Sequence, residues 1–109
     1  MKLEQIKNIC VVGAGNMGHQ ISLLCAIHGY KTVCTDVSEK VLQEAESFAD
    51  TYLPERVEKQ KMTEEQAKQA RTNISFTDSL KEAAKDADFV IEAGIEAFDR
   101  DVLDAEVDG

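Results

Sequence analysis

No apolar run in this sequence approaches the roughly 20 residues that a membrane-spanning helix needs. The opening MKLEQIKNI has no apolar core before a cleavage site, so no secretory signal is expected. Cysteine is sparse. There are three, an odd number, and none belongs to a CxxC pair. Cys10 and Cys34 fall in expected strands and Cys25 on the expected apolar face of a helix. They read as buried, reduced thiols rather than a redox or metal site, which fits a cytoplasmic location. Basic residues are also scarce: 12 lysines and arginines face 21 acids, for a net charge of −9. The excess sits late in the chain. Residues 78–109 carry eleven acids against Lys81, Lys85 and Arg100, whereas residues 1–36 are net +1. That balance argues against nucleic acid and anionic membranes as partners. It reads as a solvated helix surface. Repeats and low-complexity linkers are lacking too.

What is present alternates between strand and helix. Ile6 to Val12 (IKNICVV) is nearly all apolar and reads as a buried strand. Residues 16–28 follow as a helix. Met17, Ile21, Leu24, Cys25 and His28 recur at helical spacing and predict its buried face, and Gly29 its C-terminal stop. Lys31 to Asp36 is a second strand. Ser38 caps a long helix to about Lys59, in which Pro54, the single proline, predicts a kink or break. Thr63 and Gln66 form a capping box for a helix over 64–71. Residues 73–76 form a short strand, 79–85 a helix and 89–91 a strand, with a last amphipathic helix over 98–107. This order predicts an α/β domain whose mostly parallel sheet carries helices on its faces.

The glycines carry the chemistry. VVGAGNMGHQ places Gly13, Gly15 and Gly18 between the first strand and the first helix. In a GxGxxG turn the first glycine allows the tight turn, and the second lets the backbone approach a pyrophosphate. The third lets the helix pack closely on the sheet. The N–H groups around Asn16, Met17 and Gly18 then face the phosphates, helped by the positive helix end. Asp36 lies 18 residues past Gly18, where the second strand ends. A carboxylate there accepts the hydroxyls of an adenosine ribose and repels a 2′-phosphate, and Val37 offers no arginine to hold one. The predicted cofactor is therefore NAD rather than NADP. Asp36 can equally serve as a turn aspartate before Ser38, and the two roles are compatible. His28 reads as a structural histidine on the core-facing stripe. His19 lies near the dinucleotide site without an identifiable acid partner. Neither is assigned a catalytic role, and no metal site is expected.

These residues resemble the N-terminal part of the NAD-dependent 3-hydroxyacyl-CoA dehydrogenases, including the 3-hydroxybutyryl-CoA enzymes. IKNICVVGAGNMGHQIS resembles the family's opening and GYKTVCTDVSEKVL its second strand and helix start. VEKQKMTEEQA and NISFTDSLKEAAKDADFVIEA resemble later segments in order and spacing. The 6-phosphogluconate and 3-hydroxyisobutyrate dehydrogenases share a GxGxMG turn but have a shorter connection. Here Asp88 lies 52 positions after Asp36, and most of the interval reads as a helical hairpin.

The resemblance implies a Rossmann-type domain over 1–109, truncated, with that hairpin inserted between its second and third strands. It implies an acyl-CoA substrate in the intact parent, in fatty acid or butyrate metabolism. Lys59 and Lys61 become candidates for CoA phosphates, and Glu96 matches a glutamate near the nicotinamide half of NAD. Asp101 stands where the family often has a lysine. The family continues into a strand with a Ser-Asn-Thr-Ser stretch, a catalytic histidine, an orienting glutamate and a helical dimerisation domain. None of these is in the 109 residues, so the chain alone is expected to be inactive. The alternative class is a stand-alone NAD-binding or interaction module. The strand at 89–91 is expected at a sheet edge, which predicts self-association through that edge or marginal stability.

Overall fold

The computed structural model describes residues 5–93. Four strands and four helices lie in this range, alternating except where α3 follows α2 directly. They are β1 (Asn8–Val12), α1 (Asn16–Ile27), β2 (Lys31–Thr35), α2 (Glu39–Glu58), α3 (Glu64–Asn73), β3 (Ile74–Thr77), α4 (Leu80–Ala84) and β4 (Phe89–Glu92). The sheet is parallel throughout, in the order β3-β2-β1-β4. The expected helix over 98–107 and Glu96 lie outside the described residues.

β1 and β2, rich in β-branched residues, are buried on both faces as the centre of a parallel sheet requires, whereas β3 and β4 form its partly exposed edges. The register aligns Val11 with Cys34 and Ile91, and Cys34 with Phe76. Side chains in register share a face, so these residues project together toward one helical layer. There Leu23 and Ala26 of α1, Ala49 and Leu53 of α2, Ala67 and Ala70 of α3 and Ile74 of β3 form the main core. A second cluster joins Ala14, Cys34, Leu42 and Ala45. The chain then crosses from β3 over β2 and β1 to β4, reversing direction. A right-handed crossover puts α4 on the opposite face, where Ala83 is buried.

β1 begins at Asn8, two residues later than the sequence suggests. Asp88 explains the delay: its Oδ2 accepts the N–H of Lys7 at 2.9 Å and of Asn8 at 3.0 Å. These bonds hold the Asp88 carboxyl below the usual carboxylate range.

Two expectations are corrected. The buried face of α1 is Gly18, His19, Ser22, Leu23 and Ala26. Met17 and Leu24 are exposed, Ile21 and Cys25 half-buried, and His28 exposed rather than core-facing. Close approach selects small residues, so Gly18, Ser22 and Ala26, one turn apart, turn inward. The Ser22 hydroxyl can be fully buried because it donates to the Gly18 carbonyl at 2.8 Å.

Of the kink or break expected at Pro54, the break does not occur: α2 runs unbroken from Glu39 to Glu58. A proline removes one backbone N–H, but Pro54 stands on the exposed side. The Asp50 carbonyl deprived of that donor lies close to water. Its neighbour Leu53 is buried and keeps the helix on the core.

The expected caps form: Ser38 accepts from Val41 N–H, and Thr63 with Gln66 makes a reciprocal capping box. Ser79, expected as the first residue of a helix, instead caps it and accepts from Glu82 N–H. Gly29 ends α1 with φ 95°, its N–H donating to the Ala26 carbonyl and that of Tyr30 to Cys25.

Candidate dinucleotide site

β1 delivers the chain into the turn at Gly13, whose φ of 107° favours glycine. Its N–H donates to the Thr35 carbonyl at 2.7 Å, tying the turn to the end of β2. Gly15 is the N-cap of α1 and supplies no side-chain cap. Among the described residues nothing lies within 4 Å of where a Cβ on Gly15 would stand. Gly18 is the reverse case, because a Cβ there would collide with the Gly13 carbonyl oxygen. The three glycines thus have three reasons: a left-handed turn, an open approach, and helix-on-turn packing. Asn16 and Met17 occupy the exposed first turn of α1.

Asp36 follows β2 directly. Its Oδ2 accepts the Ala14 N–H and its Oδ1 the Ser38 N–H, both at 2.9 Å. Each carboxylate oxygen has two acceptor sites, and each uses one here. The carboxylate therefore braces the glycine turn and the start of α2 while keeping capacity for further donors. Val37 beside it is almost fully exposed.

The residues fit a dinucleotide. A helix start with uncapped N–H groups faces open space at Gly15, as a pyrophosphate requires, and a carboxylate with spare acceptor sites stands where a ribose would lie. β1 and β4, on either side of the strand-order reversal, both end here. Such reversals are where open α/β sheets bind ligands.

Other residues singled out in the sequence lie elsewhere. Lys59 ends α2, and its Nζ pairs with Glu55 Oε1 at 2.8 Å on the surface, which lowers the Glu55 carboxyl. Lys61 is exposed in the turn between α2 and α3. Cys10 and Cys34 are buried and free, and Cys25 is half-buried and free. Burial pushes the Cys34 thiol up to about 11, so it is inert as a nucleophile. Among the described residues no group of three His, Cys, Asp or Glu is placed to hold a metal, and no helix is long and apolar enough to cross a membrane.

The sequence reading left His19 without a role. The structure buries it, with Nδ1 3.3 Å from the Ala14 carbonyl oxygen and its ring 4.6 Å from that of Phe48. A backbone carbonyl as partner leaves no trace in residue types.

Sheet order, glycine turn and the carboxylate after β2 together define a Rossmann-type dinucleotide-binding domain. Comparison with known proteins makes this specific. Residues 8–101 match the family described as 3-hydroxyacyl-CoA dehydrogenase, NAD binding domain, and the chain belongs to that family. It is 35% identical over 91 residues to a 3-hydroxybutyryl-CoA dehydrogenase of Bradyrhizobium diazoefficiens, covering 84% of this chain and 31% of that protein. The crystal structure of (S)-3-hydroxybutyryl-CoA dehydrogenase from Ralstonia eutropha superposes with a TM-score of 0.78 at 30% identity, over 94% of this chain and 35% of that one. The 3-hydroxybutyryl-CoA dehydrogenase of Escherichia coli gives 0.79 at 28% identity, over 94% and 21%. The chain spans about a third of the length of the first curated relatives it matches.

Proposed function

We propose that this chain is the N-terminal part of the NAD-binding domain of an enzyme that oxidises 3-hydroxyacyl-CoA to 3-oxoacyl-CoA in fatty acid or butyrate metabolism. NAD supplies the two-electron acceptor for that oxidation. The residues present bind and orient it. The turn from Gly13 through Gly15 to Gly18 holds the pyrophosphate on the first-turn N–H groups of α1, including those of Asn16 and Met17. Asp36 accepts the adenosine ribose hydroxyls with the acceptor sites its backbone bonds leave over. Glu96 belongs near the nicotinamide half.

The observation that carries this reading is the seating of Asp36, a charged acceptor fixed from two sides beside an uncapped helix start. A 2′-phosphate there would meet a like charge, so NAD is favoured over NADP. Calorimetric titration of the chain with both nucleotides is the test. Equal or tighter NADP binding refutes it.

Lys59 and Lys61, at the tip of the α2–α3 hairpin, are the residues proposed to meet CoA phosphates, and a cytoplasmic location is proposed with them. The edge of β4 supports a further reading. Phe89 and Val90 are about half exposed, and among the described residues no strand pairs with the outer side of β4. We expect self-association there. Light scattering that shows a monomer across a wide concentration series would remove that expectation.

A further inference from the structure

The peptide units on either side of Ala14 are clamped from opposite directions. The Ala14 N–H donates to Asp36 Oδ2 at 2.9 Å, and the Ala14 carbonyl lies 3.3 Å from His19 Nδ1. A carbonyl can only accept, so in this contact Nδ1 carries the proton. The His19 ring is itself fixed, being buried and set 4.6 Å from Phe48, which stacks on Tyr52 at 5.4 Å. The direction of the Ala14 carbonyl decides something one atom away. The next N–H, that of Gly15, belongs to the same planar unit. In a trans peptide the carbonyl and the N–H point opposite ways. Holding the carbonyl inward on His19 therefore turns the Gly15 N–H outward, to the side left open at Gly15.

We infer that His19 is a positioning residue for cofactor binding: through the Ala14 carbonyl it aims the Gly15 N–H at the NAD pyrophosphate. The role rests on the NAD reading above. It is separate from packing, because the ring against Phe48 would pack as well without a donor nitrogen.

Two variants divide donor from ring. His19→Phe keeps an aromatic ring and removes the donor; His19→Asn removes the ring and keeps an amide N–H near the Nδ1 position. Affinities for NAD are measured by calorimetry on the 109-residue chain, and those for adenosine, which has no phosphate, by NMR titration. His19→Phe is expected to bind NAD about tenfold more weakly, the worth of one charged hydrogen bond, and adenosine as the wild-type chain does. His19→Asn is expected to recover most of the loss.

NAD affinity unchanged in His19→Phe overturns the inference. So does equal weakening of NAD and adenosine without recovery in His19→Asn, which is a packing effect. If His19→Phe does not fold, the wild-type imidazole decides. Its nitrogen spectrum at alkaline pH must show Nδ1 protonated and Nε2 bare with NAD present, and the opposite tautomer overturns the role. A wild-type chain that binds no NAD overturns the NAD reading itself. Normal NAD binding by the wild-type chain and His19→Phe alike overturns only the role of His19.

Discussion

The Asp36 carboxylate accepts the Ala14 N–H at 2.9 Å, joining the end of β2 to the middle of the glycine turn across 22 residues. The residue proposed to read the ribose is thus already part of the turn's construction, so one side chain links the proposed phosphate and ribose subsites.

Replacing it has two separable effects. Asp36→Ala leaves the N–H groups of Ala14 and Ser38 without their acceptor, and hydrogen bonds to a charged group are worth about 1.5–3 kcal/mol each. The part-exposed site softens that cost by admitting water. We expect a lower thermal midpoint, NAD binding weakened about tenfold or more, and a smaller preference over NADP. Asp36→Asn keeps one acceptor oxygen and should fall between. Melting and titration on the same samples check both effects.

Gly15 and Gly18 should respond oppositely to alanine. At Gly15 the backbone, with φ −65°, is open to any residue and the space beyond is empty, so stability should change by no more than about 0.5 kcal/mol. The new methyl would point into the proposed phosphate approach and weaken NAD binding. At Gly18 the methyl meets backbone at Gly13, which cannot turn aside, so a loss of about 3 kcal/mol or more is expected. Denaturant melts paired with calorimetry would show the contrast. Equal destabilisation at both positions would contradict it.

Asp88 gives the chain a predicted pH response. The N–H groups of Lys7 and Asn8 hold its carboxyl below the ordinary aspartate value of about 3.9. The folded chain therefore takes up this proton only at lower pH than the unfolded chain does. The stabilisation is complete above about pH 5 and disappears as the pH falls through the depressed native value. Asp88→Asn should flatten the acid limb of a stability–pH curve. An unchanged limb would show that Asp88 is not a source of it.

Much of this was legible in the residues. The strand–turn–helix at Gly13, the carboxylate ending β2, and the caps at Ser38 and Thr63 all rest on local chemistry that a sequence carries in its own order. The family resemblance was equally legible, because it lies in short motifs with fixed spacing. The inner face of α1 was not. Periodicity marks the stripe of large apolar residues, whereas the tight turn demands small residues against the sheet, so Ser22 and Ala26 displaced Leu24. Pro54 suggested a break that does not occur, because the proline stands on the exposed side, where water can serve the carbonyl it leaves unpaired. His19 was unreadable because its partner is the carbonyl of an alanine.

The position of β4 has a consequence for the order in which the sheet assembles. β1 meets β2 across 23 residues, Asn8 with Lys31, but meets β4 across 80, Ile9 with Phe89. Loop-closure entropy makes the longer connection costlier by about 1 kcal/mol if both segments are flexible. The β1–α1–β2 unit can therefore close on its own glycine turn first, leaving one flank of the central strand bare until β4 docks. Pulse-labelled hydrogen exchange during refolding should protect Val33 before Ile91. On a ribosome the interval is longer still, because more than fifty residues must be made between the end of β2 and the strand that seals β1.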